Sequence, residues 1–302
     1  MSDLVLVTGA TGFVGSQLLE RLAVVEGVRL RALVRDASRL RKPDGAGVEA
    51  VEADLSMPDT LAAALDGVDV AYYLVHSMGG GGDLREQDRE AAQNYVRAAK
   101  QAGVRRTVYL GAVGYDPDGG SSEHLESRHE VEEILCDDGT PEVVVVRASM
   151  VVGSGSGSFK TLVQMVDRLP VLATAPWRSA RSQPIAADDL LSCLVAAREV
   201  PPGRYEIAGA DTLTVEELMR EIARQLDKPY RALSVPVSIP KVEGIVAAAV
   251  ADEDRELITS LLEGLGDDLV VDENAAGPVF GVTPMSFPDA AAKALPGIVD
   301  GD

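Results

Sequence analysis

The chain has 302 residues, 46% of them hydrophobic, enough apolar material for one large α/β core and a smaller lobe. Forty-eight acidic residues against 28 basic ones give a formal charge of −20, a surface that repels nucleic acid and anionic lipid. No apolar run reaches the length of a membrane span and the chain opens on a strand rather than a signal sequence, so a cytosolic protein is expected. Cys136 and Cys193 lack CxxC or metal-ligand spacing and read as reduced thiols, with no metal site expected. The acidic excess, with arginine as the main basic residue, predicts a halophilic-type surface adapted to molar salt, where charges are screened within about 3 Å.

Residues 4–19 organise the rest. Leu4-Val5-Leu6-Val7 reads as a buried strand, the three glycines after it as a tight turn, and Leu18, Leu22 and Val25 as one face of a helix. Each glycine answers a different need. Gly9 permits a sharp exit from the strand, Gly12 lets a diphosphate approach the backbone, and Gly15 lets the helix pack closely on the sheet. The free N–H groups of the helix start, with Thr11, Phe13 and Val14 between the glycines, then face the anion.

A second strand, Arg29 to Val34, ends in Arg35-Asp36. An acid at this point accepts from a ribose 2′-OH, whereas an arginine matches a 2′-phosphate with forked hydrogen bonds. Arg35 therefore favours NADP(H) over NAD(H), with Asp36 as the competing reader. Strand three, Val48 to Ala53, ends in Asp54-Leu55. Strand four, Asp69 to Val75, brings Leu74, Val75 and His76 to the carboxyl edge of the sheet, where ligands bind in open α/β folds, followed by Ser77-Met78 and the glycine run Gly79 to Gly82.

A long helix from Leu84 to Ala102, strand five from Arg106 to Leu110, a helix from Ser122 to Leu135 and strand six from Glu142 to Val146 complete a doubly wound, Rossmann-type parallel sheet. After Val152 the texture changes. Residues 153–158 predict a loop over the cleft, and a patchwork follows: helix Phe159 to Val166, strand Gln183 to Ala186, a helix after Asp188-Asp189, strand Arg204 to Ala208 and helix Val215 to Leu226. The expected organisation is a dinucleotide-binding core over 1–152 and a smaller lobe with pocket-covering segments over 153–302, interleaved in one unit. Pro229 to Val250 reads as a pocket wall or a packed helix.

The spacing Thr8-Gly9-x-x-Gly12-x-x-Gly15 resembles the short-chain dehydrogenase/reductase superfamily in its extended and atypical branches. Ala71 to Gly79, His124 to Leu135 and Val143 to Gly157 look like its atypical NAD(P)H-binding, NmrA-like and complex-I-accessory-like group, while Pro184 to Leu190 and Tyr205 to Gly209 echo the substrate lobe of extended reductases. The resemblance implies tight NAD(P)H binding with catalysis often altered, and places Asp54-Leu55 at the adenine. It also implies a Tyr-x-x-x-Lys pair and a hydroxyl at the end of strand five. Here His124 stands at the tyrosine and Arg128 at the lysine, Gly111-Ala112 lacks the hydroxyl, and Tyr115 has no lysine partner.

Two replacements are expected to compete. His124 acts as acid/base near neutral pH with Arg128 on the ribose or pyrophosphate, or His76-Ser77 supplies the proton transfer. Two functions remain open at this level: an oxidoreductase or epimerase-like enzyme on an unknown small-molecule substrate, or a non-catalytic NADP(H)-binding sensor or scaffold acting through a protein partner or as a homodimer.

Overall fold

In the computed structural model, which describes residues 2–45, 47–76, 84–118, 120–137, 139–168, 172–174, 176–234 and 267–299, the first strand, β1 (Asp3–Val7), is covered on both faces. Val5 and Val7 enter one apolar layer, Leu4 and Leu6 the other. This is the two-residue period of a strand with helices above and below. Next come α1 (Phe13–Ala23), β2 (Val28–Val34), β3 (Val48–Glu52), α2 (Leu61–Leu65), β4 (Val70–Tyr73), α3 (Leu84–Ala102), β5 (Arg106–Ala112), α4 (Glu123–Cys136) and β6 (Glu142–Ala148). The second half adds β7 (Val151–Val152), α5 (Gly157–Arg168), β8 (Leu172–Thr174), β9 (Arg181–Ser182), β10 (Ile185–Ala186), α6 (Ala187–Ala196), β11 (Gly203–Ile207), β12 (Leu213–Thr214), α7 (Val215–Gln225) and β13 (Ala232–Ser234), then helices Phe287–Ala294 and Pro296–Val299.

Seven strands form one parallel sheet in the order β11-β6-β5-β4-β1-β2-β3. The winding reverses between β1 and β4, which opens a crevice at their carboxyl ends. This is a Rossmann-type α/β fold. Leu18, Leu19 and Leu22 of α1 and Leu190, Leu191 and Leu194 of α6 share the layer that holds Val5 and Val7. The layer on the other face gathers Tyr73, Tyr95 and Tyr109, whose rings meet edge to face. Two of these buried phenols are hydrogen-bonded: Tyr95 shares a bond with Thr107, and Tyr109 donates to the Arg128 carbonyl.

Residues after Val152 return to this core. The strand expected in the smaller lobe is β11, paired with β6 as the seventh strand, and α6 packs on α1. Edge pairing depends on register with a distant strand, which a five-residue run does not encode. A second apolar cluster joins Met150 and Val152 to Phe159 and Leu162 of α5, Leu218 and Ile222 of α7, and Phe287. Other boundaries shift modestly. α1 stops at Ala23, before Gly27 turns the chain with φ +75°, so Val25 lies outside the helix. β4 ends at Tyr73, β5 and β6 continue to Ala112 and Ala148, and Gly157 and Ser158 begin α5 rather than closing a loop. Ser77, Met78, the run Gly79 to Gly82 and positions 235–250 lie outside the described residues. Among the described residues no helix is long and apolar enough to cross a membrane.

Candidate functional site

The site begins where β1 ends. Gly9 has φ +62°, a left-handed conformation that disfavours any side chain, and a Cβ there would lie 3.0 Å from the Leu74 carbonyl oxygen. Thr8 ties the same point to β4: its Oγ1 donates to the Tyr72 carbonyl and accepts from the Leu74 N–H, both at 3.0 Å. Gly12 caps α1 without any side-chain hydrogen bond, and no acidic residue lies in the first turn. The leading N–H groups of α1 therefore lack a side-chain cap, as an anion site requires. Gly15 is needed for another reason, because a Cβ would lie 2.2 Å from the Gly9 carbonyl oxygen. Thr11 and Gly12 are exposed, whereas Phe13 and Val14 are half-buried.

At the far end of the crevice Arg35, directly after β2, is exposed. Asp36, next to it, is exposed as well. Its carboxylate accepts from the Ser38 N–H at 2.9 Å and the Ser38 hydroxyl at 2.6 Å, which lowers its pKa and caps a short 3-10 turn. Asp54 makes the same kind of turn onto Ser56, at 2.9 Å to the N–H and 2.8 Å to the hydroxyl. The Leu55 side chain is in the core, so what it offers toward a ligand is backbone, with its carbonyl held by Asn94 at 2.9 Å.

Leu74 and Val75 are half-buried at the carboxyl end of β4, and His76 follows them. The fold brings His76 against His124 of α4, ring centroids 6.2 Å apart and nearly perpendicular. Arg128 lies one helical turn after His124 and donates to the Leu110 carbonyl at 3.3 Å, while its Nε is buried without a partner. Burial first, and then the Arg128 charge, pull His124 down to about 4; the same two causes and His124 itself hold His76 well below the usual range. The acid/base role near neutral pH expected of His124 would thus start from a neutral imidazole. Both imidazoles are neutral there, because desolvation and a neighbouring guanidinium penalise a second cation. Tyr115 stacks on His129, centroids 3.9 Å apart, rather than on His124.

Several contacts at the site had no clear mark in the sequence. The ring of Phe13 lies against Gly153 and Gly155. The stretch after Asp267 crosses the same edge: Leu269 bridges to β9, its carbonyl accepts from Ser149 at 2.9 Å, and Asp267 accepts from the Ser122 N–H at 3.3 Å. No local pattern near 267–269 announces this. Below the site, buried Glu132 accepts from Arg147 at 2.7 and 2.9 Å and from Arg204 at 2.6 Å. Burial alone would raise its pKa, but these guanidinium hydrogen bonds prevail and hold it low.

A parallel sheet wound in this order, with an uncapped glycine turn at its switch point, defines a Rossmann-type dinucleotide-binding protein. Residues 9–150 match the family model described as NAD(P)H-binding. The chain is 35% identical over 130 residues to sterol demethylase protein B of Methylococcus capsulatus, a match covering 39% of this chain but only 38% of that protein. It is 25% identical over 277 residues to the UDP-glucose 4-epimerase of Vibrio cholerae, covering 81% and 82% of the two chains. Its fold resembles that of MoeE5 in complex with UDP-glucose and NAD, with a TM-score of 0.71, 17% identity and 99% of each chain covered. Residues 9–150 thus carry an NAD(P)H-binding domain, and the similarity to a UDP-glucose 4-epimerase over most of the chain supports an atypical short-chain dehydrogenase/reductase type of group.

Proposed function

We propose that the chain is an NADP(H)-dependent oxidoreductase or epimerase-like enzyme that acts on a small organic substrate without a tyrosine–lysine pair. The observation that carries this reading is the meeting of His76, His124 and Arg128 at the carboxyl ends of β4 and β5, beside the glycine turn. Gly9, Thr11, Gly12, Phe13, Val14 and Gly15 form the diphosphate cradle. Arg35 reads the 2′-phosphate, the backbone of Asp54 and Leu55 borders the adenine, and Leu74, Val75 and His76 wall the nicotinamide end. Residues 1–152 supply most of the cofactor side, and the segments after 152 the substrate side.

The dinucleotide, when bound, supplies or accepts a hydride. The chain's own residues handle the oxygen. His124, neutral at physiological pH, donates an N–H hydrogen bond to the substrate oxygen, as a neutral imidazole can when its pKa is held low, and the proton that this oxygen gains or loses is exchanged with water. Arg128 stabilises negative charge that develops there. Loss of the tyrosine–lysine pair equally favours a second reading, an NADP(H)-binding sensor or scaffold.

The test is single-turnover oxidation of bound NADPH on mixing with pools of carbonyl and enone compounds, followed by the absorbance of the reduced nicotinamide. Oxidation that disappears in His124→Ala is the expected result. Tight NADPH binding with no oxidation across broad pools would overturn the enzyme reading in favour of the sensor.

A further inference from the structure

Phe13 occupies the first position of α1, directly after the Gly12 cap. Its ring lies under the backbone of the Gly153-Ser154-Gly155 loop. A Cβ added at Gly153 would lie 2.4 Å from its Cζ, and one at Gly155 would lie 2.4 Å from its Cδ2. Both distances are far inside van der Waals contact, so the ring fits only because these two residues are glycine. The loop is held from a second side as well: a Cβ at Gly297 would lie 2.7 Å from Ser154 Cβ. Internally the Ser156 N–H closes onto the Gly153 carbonyl at 3.1 Å. The loop leads from β7 into α5, whose Phe159 and Leu162 belong to the second apolar cluster.

One aromatic ring thus joins the start of the anion-binding helix to the loop that opens the second half. We infer that Phe13 is a positioning residue: clamped by the 153–155 loop, it sets the Gly12-Phe13 peptide at the height where its N–H faces a diphosphate. Dinucleotide affinity then depends on Gly153 and Gly155, which lie outside the glycine motif. Close-packed contacts transmit sub-ångström shifts rather than absorb them. An anion site built from a few N–H groups is sensitive to such shifts. This inference rests on reading residues 9–15 as the dinucleotide turn.

A double-substitution cycle on the full chain tests it, with NADPH affinity from fluorescence titration and melting temperature recorded together. Gly155→Ala puts a methyl group where the ring stands, and its NADPH affinity is expected to fall about tenfold, the fold-change of a moderate overpacking shift. Adding Phe13→Ala vacates that space, so the double variant binds NADPH more tightly than Gly155→Ala alone. Losses that multiply, or coupling seen in melting temperature with NADPH affinity unchanged, would overturn the inference and leave a packing contact only. Should Gly155→Ala not fold, Phe13→Leu is the second arm: a drop of about threefold or more supports the inference, and unchanged affinity overturns it. Gly12→Val separates the two ideas. If that variant also keeps wild-type affinity, the reading of the turn has failed rather than the role of Phe13.

Discussion

His76 and His124 meet edge to face, centroids 6.2 Å apart, with Arg128 one turn along α4 from His124. Three groups able to carry positive charge share one crevice, and only the guanidinium keeps it. The imidazoles are therefore hydrogen-bonding groups at neutral pH rather than cations.

This arrangement has a pH signature. With His124 folded at about 4 against an ordinary 6.5, the unfolded chain binds more protons between those values. The stability that goes with the neutral ring is full above pH 6.5 and is lost as pH falls through about 4. Urea melts of His124→Gln should show a shallower loss between pH 6.5 and 5 than the wild type, with His76 among the groups behind the slope that remains. Histidine-edited NMR should place His124 near 4, and higher in Arg128→Leu, though still depressed by burial.

Gly12 and Gly15 separate binding from folding. Gly15→Ala drives a methyl into the Gly9 carbonyl, 2.2 Å away, and should cost about 1–3 kcal/mol in a thermal melt. The nearest atom to a Cβ on Gly12 is 3.3 Å away. Gly12→Val should therefore melt closer to the wild type than Gly15→Ala does, yet lose dinucleotide binding.

Arg35 and Asp36 are both exposed, and one carboxylate oxygen of Asp36 is engaged by Ser38. Arg35→Ala should weaken NADPH by about ten- to a hundredfold, the worth of hydrogen bonds to a charged group, and change NADH little. Equal losses for both dinucleotides would remove the 2′-phosphate from the assignment.

Glu132, only 3% exposed, binds Arg147 and Arg204 together. Glu132→Ala leaves two guanidinium groups short of a partner and should cost about 3 kcal/mol in a urea melt. Its lowered pKa gives the opposite pH sense from a raised one: the stability it contributes is present above pH 4.5 and is lost as pH falls through its lower folded value.

A formal charge of −20 sets a salt dependence. Melting temperature should rise from low salt to molar KCl as the self-repulsion is screened. A flat or falling profile would rule out adaptation to high salt.

What the sequence determined by itself was local. The apolar alternation of β1, the glycine turn from Gly9 to Gly15 and the limits of α3, Leu84 to Ala102, follow from sterics and periodicity among near neighbours. Arg35 at the end of β2 and the His124/Arg128 pair one turn apart were legible for the same reason. Tertiary structure decided the rest. It placed β11 on the central sheet, brought His76 to His124, seated Phe13 under Gly153 and Gly155, and buried Glu132 between two arginines. It also moved His124 out of the neutral range, because a pKa responds to every charge and every loss of water around a group. Those surroundings come from strand register and crossovers, which join segments far apart in the chain and leave no local pattern.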